Sequence, residues 1–392
     1  MKTIINSILD NDLYKFSMCY AVLQKFPNLK VKYTFTDRNN EIYPEGFANK
    51  LYEHIKMMES ISLTKNEEIF LRKISYFPSW FIDFIKGYKF NSDEVLIKQD
   101  SIGHLSVMIE GFWYHTILWE VPLLALISEL FYIETEQNLS IITSDIKHNI
   151  DGNKVINLVK HNAYFSDFGT RRRFSYNNQL DTINSMYNAQ CFAGTSNLDI
   201  ARIFNVKPIG TMAHEWIMAH GALYGYKQAN KLALENWVDV YGGNLGIALA
   251  DTYTTDTFLQ SFDMKLAKLF DGVRQDSGDP YEFADKIINH YKLLGIDPMT
   301  KTIVFSDSLN VESAIAIKEY CVGKIKSSFG IGTNFTNDVG VKPMNIVIKL
   351  SYVLFNNQWQ PAVKLSDSPG KHMGEINEIN LCKQTLNINK NV

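Results

Sequence analysis

The stretch TIVFSDSLNVESAIAIKEYCVGKIKSSFGIGTN (302–334) holds two short apolar runs separated by a longer segment with helical spacing. Parallel strands joined by a crossover helix produce this rhythm. The rhythm recurs upstream, so residues 164–333 are predicted to contain seven strand–helix units. The predicted strands are YFSDFG (164–169), AQCFAG (189–194), KPIGTM (207–212), LGIALA (245–250), LFDGVRQD (269–276), TIVFSD (302–307) and KIKSSFGIG (324–332). The fold class is therefore predicted to be α/β.

Small or polar residues end each predicted strand. In a (β/α) barrel, this carboxyl edge of the strands holds the active site. An open, doubly wound sheet gives the same alternation and also binds ligands at that edge. The number of units favours the barrel.

The chain on both sides of this region has a different pattern. Strands are predicted at 31–37 and in the runs VLIKQD and HLSVMIEG, and helices at 53–60 and 66–74. The tail NIVIKLSYVLFNNQWQPAVKLSD (345–367) predicts two strands around the turn Asn356-Asn357. We expect this hairpin to pack on the N-terminal segment, because a chain of 392 residues exceeds the usual size of one core.

Charge and composition limit the possible partners. The 39 Lys and Arg against 42 Asp and Glu give a net charge of -3, so no global positive field exists to hold a nucleic acid. The four cysteines are far apart in sequence, which suits free thiols in a reducing compartment. The start lacks the apolar core of a secretion signal, and the apolar run 117–127 is shorter than the ~20 residues that span a bilayer. We expect a cytoplasmic protein without nucleic-acid or membrane partners, in which 117–127 is a buried helix.

Two regions could bind phosphate. SDFGTRRRFS (166–175) places Arg171, Arg172 and Arg173 in the predicted first turn of a helix capped by Thr170, where cations are unfavourable unless an anion lies among them. The alternative is a solvated charge run. FGIGTN (329–334) and FSDS (305–308) end neighbouring strands and could hold one phosphate together, although a glycine-rich loop is often only a tight turn.

The segment GTMAHEWIMAH (210–220) places His214 at the start of a helix, where a neutral imidazole could act as base or nucleophile. A zinc site of the HExxH type is excluded because Met218 stands where the second histidine is needed. No metal ligand is assigned. The alternative is a structural histidine bonded to the backbone.

Carboxylates recur at the predicted strand ends: Asp251 follows LGIALA, Asp307 follows TIVFS, and RQDSGD (274–279) holds Asp276 and Asp279 beside Arg274. Such a set can orient a histidine, bind ribose hydroxyls or hold Mg²⁺ partly through water. The alternative is that these aspartates cap the following helices.

The segments NDLYKFSM (11–18), DFGTRRRFS, GTSN, GTMAHEW, VRQDSGDP, VFSDSLN, SFGIGTNFTND and KLSDSPGK occur in an order that resembles bacterial-type nicotinate phosphoribosyltransferases, which are type II phosphoribosyltransferases of NAD salvage. The resemblance covers nearly the whole chain. It implies an irregular (β/α) barrel (131–340) and an N-terminal α+β domain (1–130) completed by C-terminal strands (341–392). It also implies the substrates nicotinate, phosphoribosyl pyrophosphate and ATP, with Mg²⁺, and admits a homodimer.

The resemblance further implies residue roles. His214 would be phosphorylated by ATP, which couples ATP hydrolysis to the reaction, with Asp251 orienting it and Glu215 beside it in the catalytic motif. Tyr14, from the same or a partner subunit, and Phe168 would sandwich the pyridine ring. The other implied substrate contacts are Arg171 and Arg172 to phosphates, Arg274 to the ring carboxylate, Asp276 to the ribose, Thr195 and Ser196 near the ring, and Asp307, Ser308, Gly332 and Thr333 to the ribose 5-phosphate.

Ser196 separates two related substrates. The related nicotinamide-using enzymes carry an aspartate at this place in GTSN, and an anionic side chain would repel nicotinate, whereas a hydroxyl can donate to its carboxylate. The acid is therefore the expected substrate. The alternatives are a nicotinamide or quinolinate phosphoribosyltransferase, or a non-catalytic paralogue that binds nucleotides.

Overall fold

The computed structural model describes residues 3–139 and 142–388, which form two β-sheets surrounded by helices. The strands are β1 (Lys30–Asp37), β2 (Val95–Gln99), β3 (Leu105–Phe112), β4 (Phe165–Asp167), β5 (Phe192–Thr195), β6 (Ile247–Leu249), β7 (Gly272–Gln275), β8 (Thr302–Phe305), β9 (Lys326–Ile331), β10 (Ile346–Phe355) and β11 (Gln358–Pro361). The helices are α1 (Leu13–Lys25), α2 (Phe47–Met58), α3 (Lys65–Leu71), α4 (Ser79–Gly87), α5 (Trp113–Thr116), α6 (Glu120–Glu134), α7 (Ser144–Lys160), α8 (Tyr176–Asn184), α9 (Leu198–Phe204), α10 (His214–Tyr224), α11 (Tyr226–Tyr241), α12 (Thr255–Ser261), α13 (Met264–Leu269), α14 (Pro280–Leu293), α15 (Val311–Cys321), α16 (Thr333–Thr336) and α17 (Ile376–Thr385).

The first sheet joins the two ends of the chain. It is antiparallel in the order β11-β10-β1-β3-β2. Strand β10 pairs with β1 along the whole of β1, from Lys30 opposite Leu354 to Asp37 opposite Ile346. Asn356 and Asn357 adopt φ of 50° and 60°, as a two-residue hairpin turn requires. The predicted C-terminal hairpin and its packing on the N-terminal segment are confirmed. The domain boundaries stay a prediction, and their ends at residues 1 and 392 lie outside the described residues.

The second sheet is parallel, in the order β5-β4-β9-β8-β7-β6, and contains six of the seven predicted strands. The mixed α/β class is thereby confirmed. The prediction that 207–212 is a strand was wrong, since this segment forms only a single bridge, from Pro208 to Thr195 of β5. Pro208 has no N–H to extend a ladder. Beyond it, the Thr211 hydroxyl donates to the Ile247 carbonyl of β6 at 3.0 Å, an arrangement compatible with an irregular barrel.

Gly194 allows the segment 207–212 to lie very close to β5. A Cβ built on Gly194 would lie 1.9 Å from the Lys207 carbonyl oxygen, and its φ of 139° lies in the region that glycine favours. The segment 207–212 can therefore approach β5 closely only because position 194 carries no side chain.

The apolar segment that contains 117–127 is a core element. By length and composition the run Trp113–Glu134, with a mean hydropathy of 1.6 in its most apolar window, could cross a membrane, but 89 % of that window is buried inside the protein. The prediction of a buried helix is confirmed. All four cysteines are buried free thiols, as their spacing suggested.

Candidate active site

A cavity of about 610 Å³ lies between the carboxyl edge of the parallel sheet and β10. Seven cations and three carboxylates line it among the residues that the structure describes. The cations are Arg38, Arg171, Arg172, Arg274, Lys349, Lys364 and Lys371, and the carboxylates are Asp276, Asp307 and Asp338. A cleft lined by one sign of charge concentrates ligands of the opposite sign. The cavity is therefore suited to a multiply charged anion.

The three consecutive arginines separate in the structure. Residues Thr170–Arg172 form a 3₁₀ turn, and the helix α8 begins only after Ser175, whose hydroxyl accepts the Asn178 N–H. The prediction that Thr170 caps a helix was wrong. Arg173 points into the interior, where it is fully buried in a two-pronged ion pair with Asp10 at 2.6 and 2.7 Å. Its side chain is structural, and only Arg171 and Arg172 reach the cavity.

Arg172 lies where its charge is poorly compensated. Its guanidinium donates to the Asn345 side chain at 3.2 Å. Burial, followed by the neighbouring charges of Arg171 and Arg38, lowers the pKa of Arg172 to about 10. An anion bound among these arginines would relieve this repulsion. The turn therefore places two partly buried cations at the cavity wall, and its role as a phosphate receptor stays a prediction.

His214 begins α10 and lines the cavity, 3 % exposed. Its Nδ1 lies 3.0 Å from the Thr252 hydroxyl, and its Nε2 lies 3.0 Å from Asp276 Oδ2. Burial and the charge of Lys364 lower the pKa of His214 well below its ordinary value, against the opposing effect of Asp276. The imidazole is therefore neutral at neutral pH, as a nucleophile or base requires.

The two acids predicted beside His214 are less directly placed. Asp251 Oδ1 lies 4.0 Å from His214 Nε2, and the other oxygen of Asp251 accepts the Ser277 hydroxyl. The direct carboxylate partner of the imidazole is Asp276, and Thr252 was not predicted at all. Glu215 is not among the residues that line the cavity and is instead buried in an ion pair with Lys15.

A second, smaller pocket of about 70 Å³ adjoins the cavity and is mainly apolar in its lining. Tyr14 and Phe168 of the same chain both line it, together with Arg171, Arg274, Asp12 and Ser196. Phe168, Arg171 and Arg274 line the large cavity as well. We call this small site the ring pocket. Its aromatic walls suit a flat heteroaromatic ring.

Ser196 does not present a free hydroxyl to the ring pocket. Its Oγ donates to Asp12 Oδ1 at 2.7 Å, and Asp12 is itself buried, which raises the pKa of this carboxyl. Thr195 is buried and donates to Asp167, so it lines neither the ring pocket nor the large cavity. Ser196 lines the ring pocket, but the sequence could not show that its hydroxyl already donates to Asp12.

The two predicted phosphate loops converge. Asp307 and Ser308 after β8, and Gly332 and Thr333 after β9, all line the large cavity. Strands β8 and β9 are neighbours, so their carboxyl ends meet. Lys371, from the C-terminal segment, forms an ion pair with Asp307.

Four basic residues of the cavity were missed by the sequence reasoning: Arg38 after β1, Lys349 on β10, and Lys364 and Lys371 after β11. Burial lowers the pKa of Lys349 to about 8, with Glu120 opposing this shift. The available signal was a lone lysine in the apolar run NIVIKL, since lysine is rarely buried without a role.

Comparisons with known proteins agree over the whole chain. A model of the nicotinate phosphoribosyltransferase (NAPRTase) family matches residues 163–390, and a model of the NAPRTase N-terminal domain matches residues 9–128. Nicotinate phosphoribosyltransferases of Desulforapulum autotrophicum and Chromohalobacter salexigens are 49 % and 47 % identical, over 97 % and 98 % of this chain and 99 % of each relative.

The crystal structure of nicotinate phosphoribosyltransferase from Porphyromonas gingivalis superimposes with a TM-score of 0.95 at 44 % identity, over 98 % of this chain and 100 % of that one. The likeness thus extends from sequence to the full three-dimensional fold. The chain belongs to the nicotinate phosphoribosyltransferase family.

Proposed function

We propose that this protein transfers a phosphoribosyl group from phosphoribosyl pyrophosphate to nicotinate, forming nicotinate mononucleotide and pyrophosphate for NAD biosynthesis. The observation that carries the proposal is the junction of the ring pocket with the cation-rich cavity. Arg171 and Arg274 line both spaces, so a pyridine carboxylate and a phosphorylated sugar would lie next to each other. The names of the relatives support the same reaction.

The ring pocket would hold nicotinate between Tyr14 and Phe168. Aromatic stacking contributes about 0.5–1.5 kcal/mol beyond area burial and fixes the plane of the ring. Both residues line the pocket within one chain. Arg274, held by Ser306 at 2.9 Å and Asp276 at 2.9 Å, offers its charge to the ring carboxylate.

In the reaction, the lone pair of the pyridine nitrogen forms a bond to C1 of the ribose. The bond from C1 to the pyrophosphate oxygen breaks, and its electron pair leaves with pyrophosphate. Positive charge develops on the sugar, so the protein acts by holding the two substrates in line and by stabilising the leaving anion with the cavity's lysines and arginines.

Mg²⁺ would neutralise part of the pyrophosphate charge. Among the described residues, no group of three or more His, Cys, Asp or Glu side chains could hold a metal ion by itself. Asp276 and Asp307 line the cavity, and Mg²⁺ is usually held by one or two carboxylates together with substrate phosphates. These two residues fit that role.

We further propose that ATP phosphorylates His214. An unprotonated ring nitrogen would attack the terminal phosphorus of ATP, with ADP as the leaving group, and later hydrolysis would release phosphate. The neutral state of the imidazole and the presence of Lys349 and Lys364 in the same cavity support this role. Hydrolysis of the phosphohistidine would draw the transfer reaction toward nucleotide. The buried free thiols suit the reducing cytoplasm as its location.

Nicotinamide is the second candidate substrate. The Asp12 carboxylate in the ring pocket could accept an N–H from a carboxamide, whereas Arg171 and Arg274 favour the acid. Quinolinate would bring a second carboxylate into the small pocket.

The test is a side-by-side assay of nicotinate, nicotinamide and quinolinate with phosphoribosyl pyrophosphate, with and without ATP. Nicotinate should give the highest kcat/KM, and absence of nicotinate mononucleotide would exclude the function, leaving a nucleotide-binding paralogue. Incubation with γ-labelled ATP should give acid-labile label on the wild type and none on His214→Ala. ATP-stimulated turnover by His214→Ala would exclude the phosphohistidine.

A further inference from the structure

A buried ion cluster lies directly behind the cavity. Lys15 of α1 is fully buried between Glu120, at the start of α6, and Glu215 of α10. The other oxygen of Glu215 accepts the Tyr33 hydroxyl at 3.2 Å and the Trp113 indole N–H at 3.1 Å. Glu215 therefore has its hydrogen-bonding capacity satisfied within the protein, and Lys15 links it to Glu120.

Glu120 differs from Glu215 because one of its carboxylate oxygens faces the cations of the cavity. Its Oε1 is buried without a hydrogen bond in the described structure and lies 3.5 Å from Arg171 Nη1 and 3.6 Å from Lys349 Nζ. Arg171 and Lys349 line the cavity, while Glu120 does not. The cluster thus joins Lys15, Arg171 and Lys349 to the two carboxylates Glu120 and Glu215, which leaves one positive charge uncompensated at the cavity wall.

Of the three cations in this cluster, Lys349 loses its proton most readily because it is buried. The pKa of Lys349 is about 8, because burial and the positive charges of Arg171, Lys364 and Lys15 together outweigh the opposing effect of Glu120. The charge of Glu120 raises it. An opposite charge within about 4–6 Å shifts a pKa by about 1 to 3 units. Without Glu120, the pKa of Lys349 would therefore be lower, and Lys349 would lose its proton at a lower pH than in the wild type.

We propose that Glu120 is a positioning residue that keeps Lys349 charged and directs Lys349 and Arg171 toward the anionic substrate. It touches no substrate itself and acts through the two cations. The identity of the anion, phosphoribosyl pyrophosphate, rests on the proposed function, whereas the effect of Glu120 on Lys349 does not.

The first test compares the pH dependence of kcat/KM for phosphoribosyl pyrophosphate in the wild type, Glu120→Gln and Glu134→Gln. Glu134 lies at the far end of the same helix and pairs with Lys50, so it is a matched control. In Glu120→Gln the alkaline fall in kcat/KM should move to lower pH by about one unit or more, which is about a fivefold or greater loss at the wild-type midpoint. Glu134→Gln should follow the wild type. An unshifted fall in Glu120→Gln would overturn the inference.

The variant Lys349→Arg tests the role of Lys349 even if Glu120→Gln does not fold correctly. Arginine stays charged throughout the accessible pH range. This variant should lose the alkaline fall, both alone and combined with Glu120→Gln. If kcat/KM of Lys349→Arg still falls at the same alkaline pH as in the wild type, the role of Lys349 is overturned.

A second measurement does not depend on activity. The rate of acetylation of Lys349 by an amine-selective reagent, followed by peptide mass spectrometry across pH, reports its titration directly. The midpoint should shift to lower pH in folded Glu120→Gln, and an unchanged midpoint would overturn the inference. If the wild type makes no nucleotide but the midpoint shifts, the proposed function fails and the electrostatic role of Glu120 stands.

Discussion

Gly330→Ala should damage the ring pocket selectively. Gly330 lies in β9, paired with Ser166 of β4. A Cβ at this position would lie 2.3 Å from Cδ2 and 2.4 Å from Cε2 of Phe168, whereas ordinary van der Waals contact begins at 3.4 Å. The difference between 2.3 and 3.4 Å requires the ring to move by about 1.1 Å. Phe168 is a wall of the ring pocket, so the variant displaces that wall without changing its chemistry.

The expected kinetic effect of Gly330→Ala has two parts. Loss of the stacking contact, about 0.5–1.5 kcal/mol, corresponds to about a 2- to 13-fold rise in the KM for nicotinate. Misplacement of a reacting group by about 1 Å can lower turnover by about 100-fold. Overpacking should cost about 1–3 kcal/mol of stability, a modest loss that leaves a folded protein at room temperature.

Steady-state kinetics with nicotinate varied, together with urea unfolding, would measure both effects. Gly152→Ala is the matched control, because Gly152 lies within α7 and a Cβ there meets no described atom within 4 Å. It should leave kinetics unchanged and raise stability by up to about 1 kcal/mol. In a Phe168→Ala background, Gly330→Ala should add little further loss, since the clash is gone. Wild-type nicotinate kinetics in a folded Gly330→Ala protein would refute the reasoning.

Three further variants test other contacts. Ser196→Asp would place a second carboxylate against buried Asp12, so both the melting temperature and the affinity for nicotinate should fall; an unchanged KM speaks against the discrimination argument. Arg173→Met leaves Asp10 buried without its opposite charge and should cost about 3–5 kcal/mol in urea unfolding, and a loss under about 1 kcal/mol would contradict the structural role of this pair. Tyr14→Phe removes a buried hydroxyl that has no hydrogen-bond partner among the described residues, so stability should hold or rise by about 1 kcal/mol in thermal unfolding; a marked loss would show that the hydroxyl is satisfied.

Much of the site could be predicted because it lies at one edge of one sheet. The carboxyl ends of parallel strands meet, so residues that follow those strands in sequence, such as Arg171, Asp276 and Ser308, converge in space. The roles given to them came from the family resemblance. They stay predictions until substrates are tested.

The features that were not predicted depend on pairing between residues far apart in sequence, which no local pattern reveals. Lys349 reaches the cavity only because β10 pairs with β1 in one register, with a shift between Lys32 and Tyr33. Arg173 looks like its two neighbours in sequence, but its partner Asp10 lies 163 positions away. The apolar spacing of residues 207–212 predicted a strand, but Pro208 interrupts the backbone hydrogen-bond ladder there.

The pairing of β1 with β10 has a consequence for biosynthesis. Strand β1 emerges early from the ribosome, yet its neighbour in the sheet is complete only at Phe355. Until then one edge of β1 has open backbone hydrogen-bonding groups, which invite association between nascent chains. Because contacts between distant segments form slowly, the final hairpin should limit the rate of folding, and ribosomal pausing or chaperone binding before residue 355 would govern the yield of native protein.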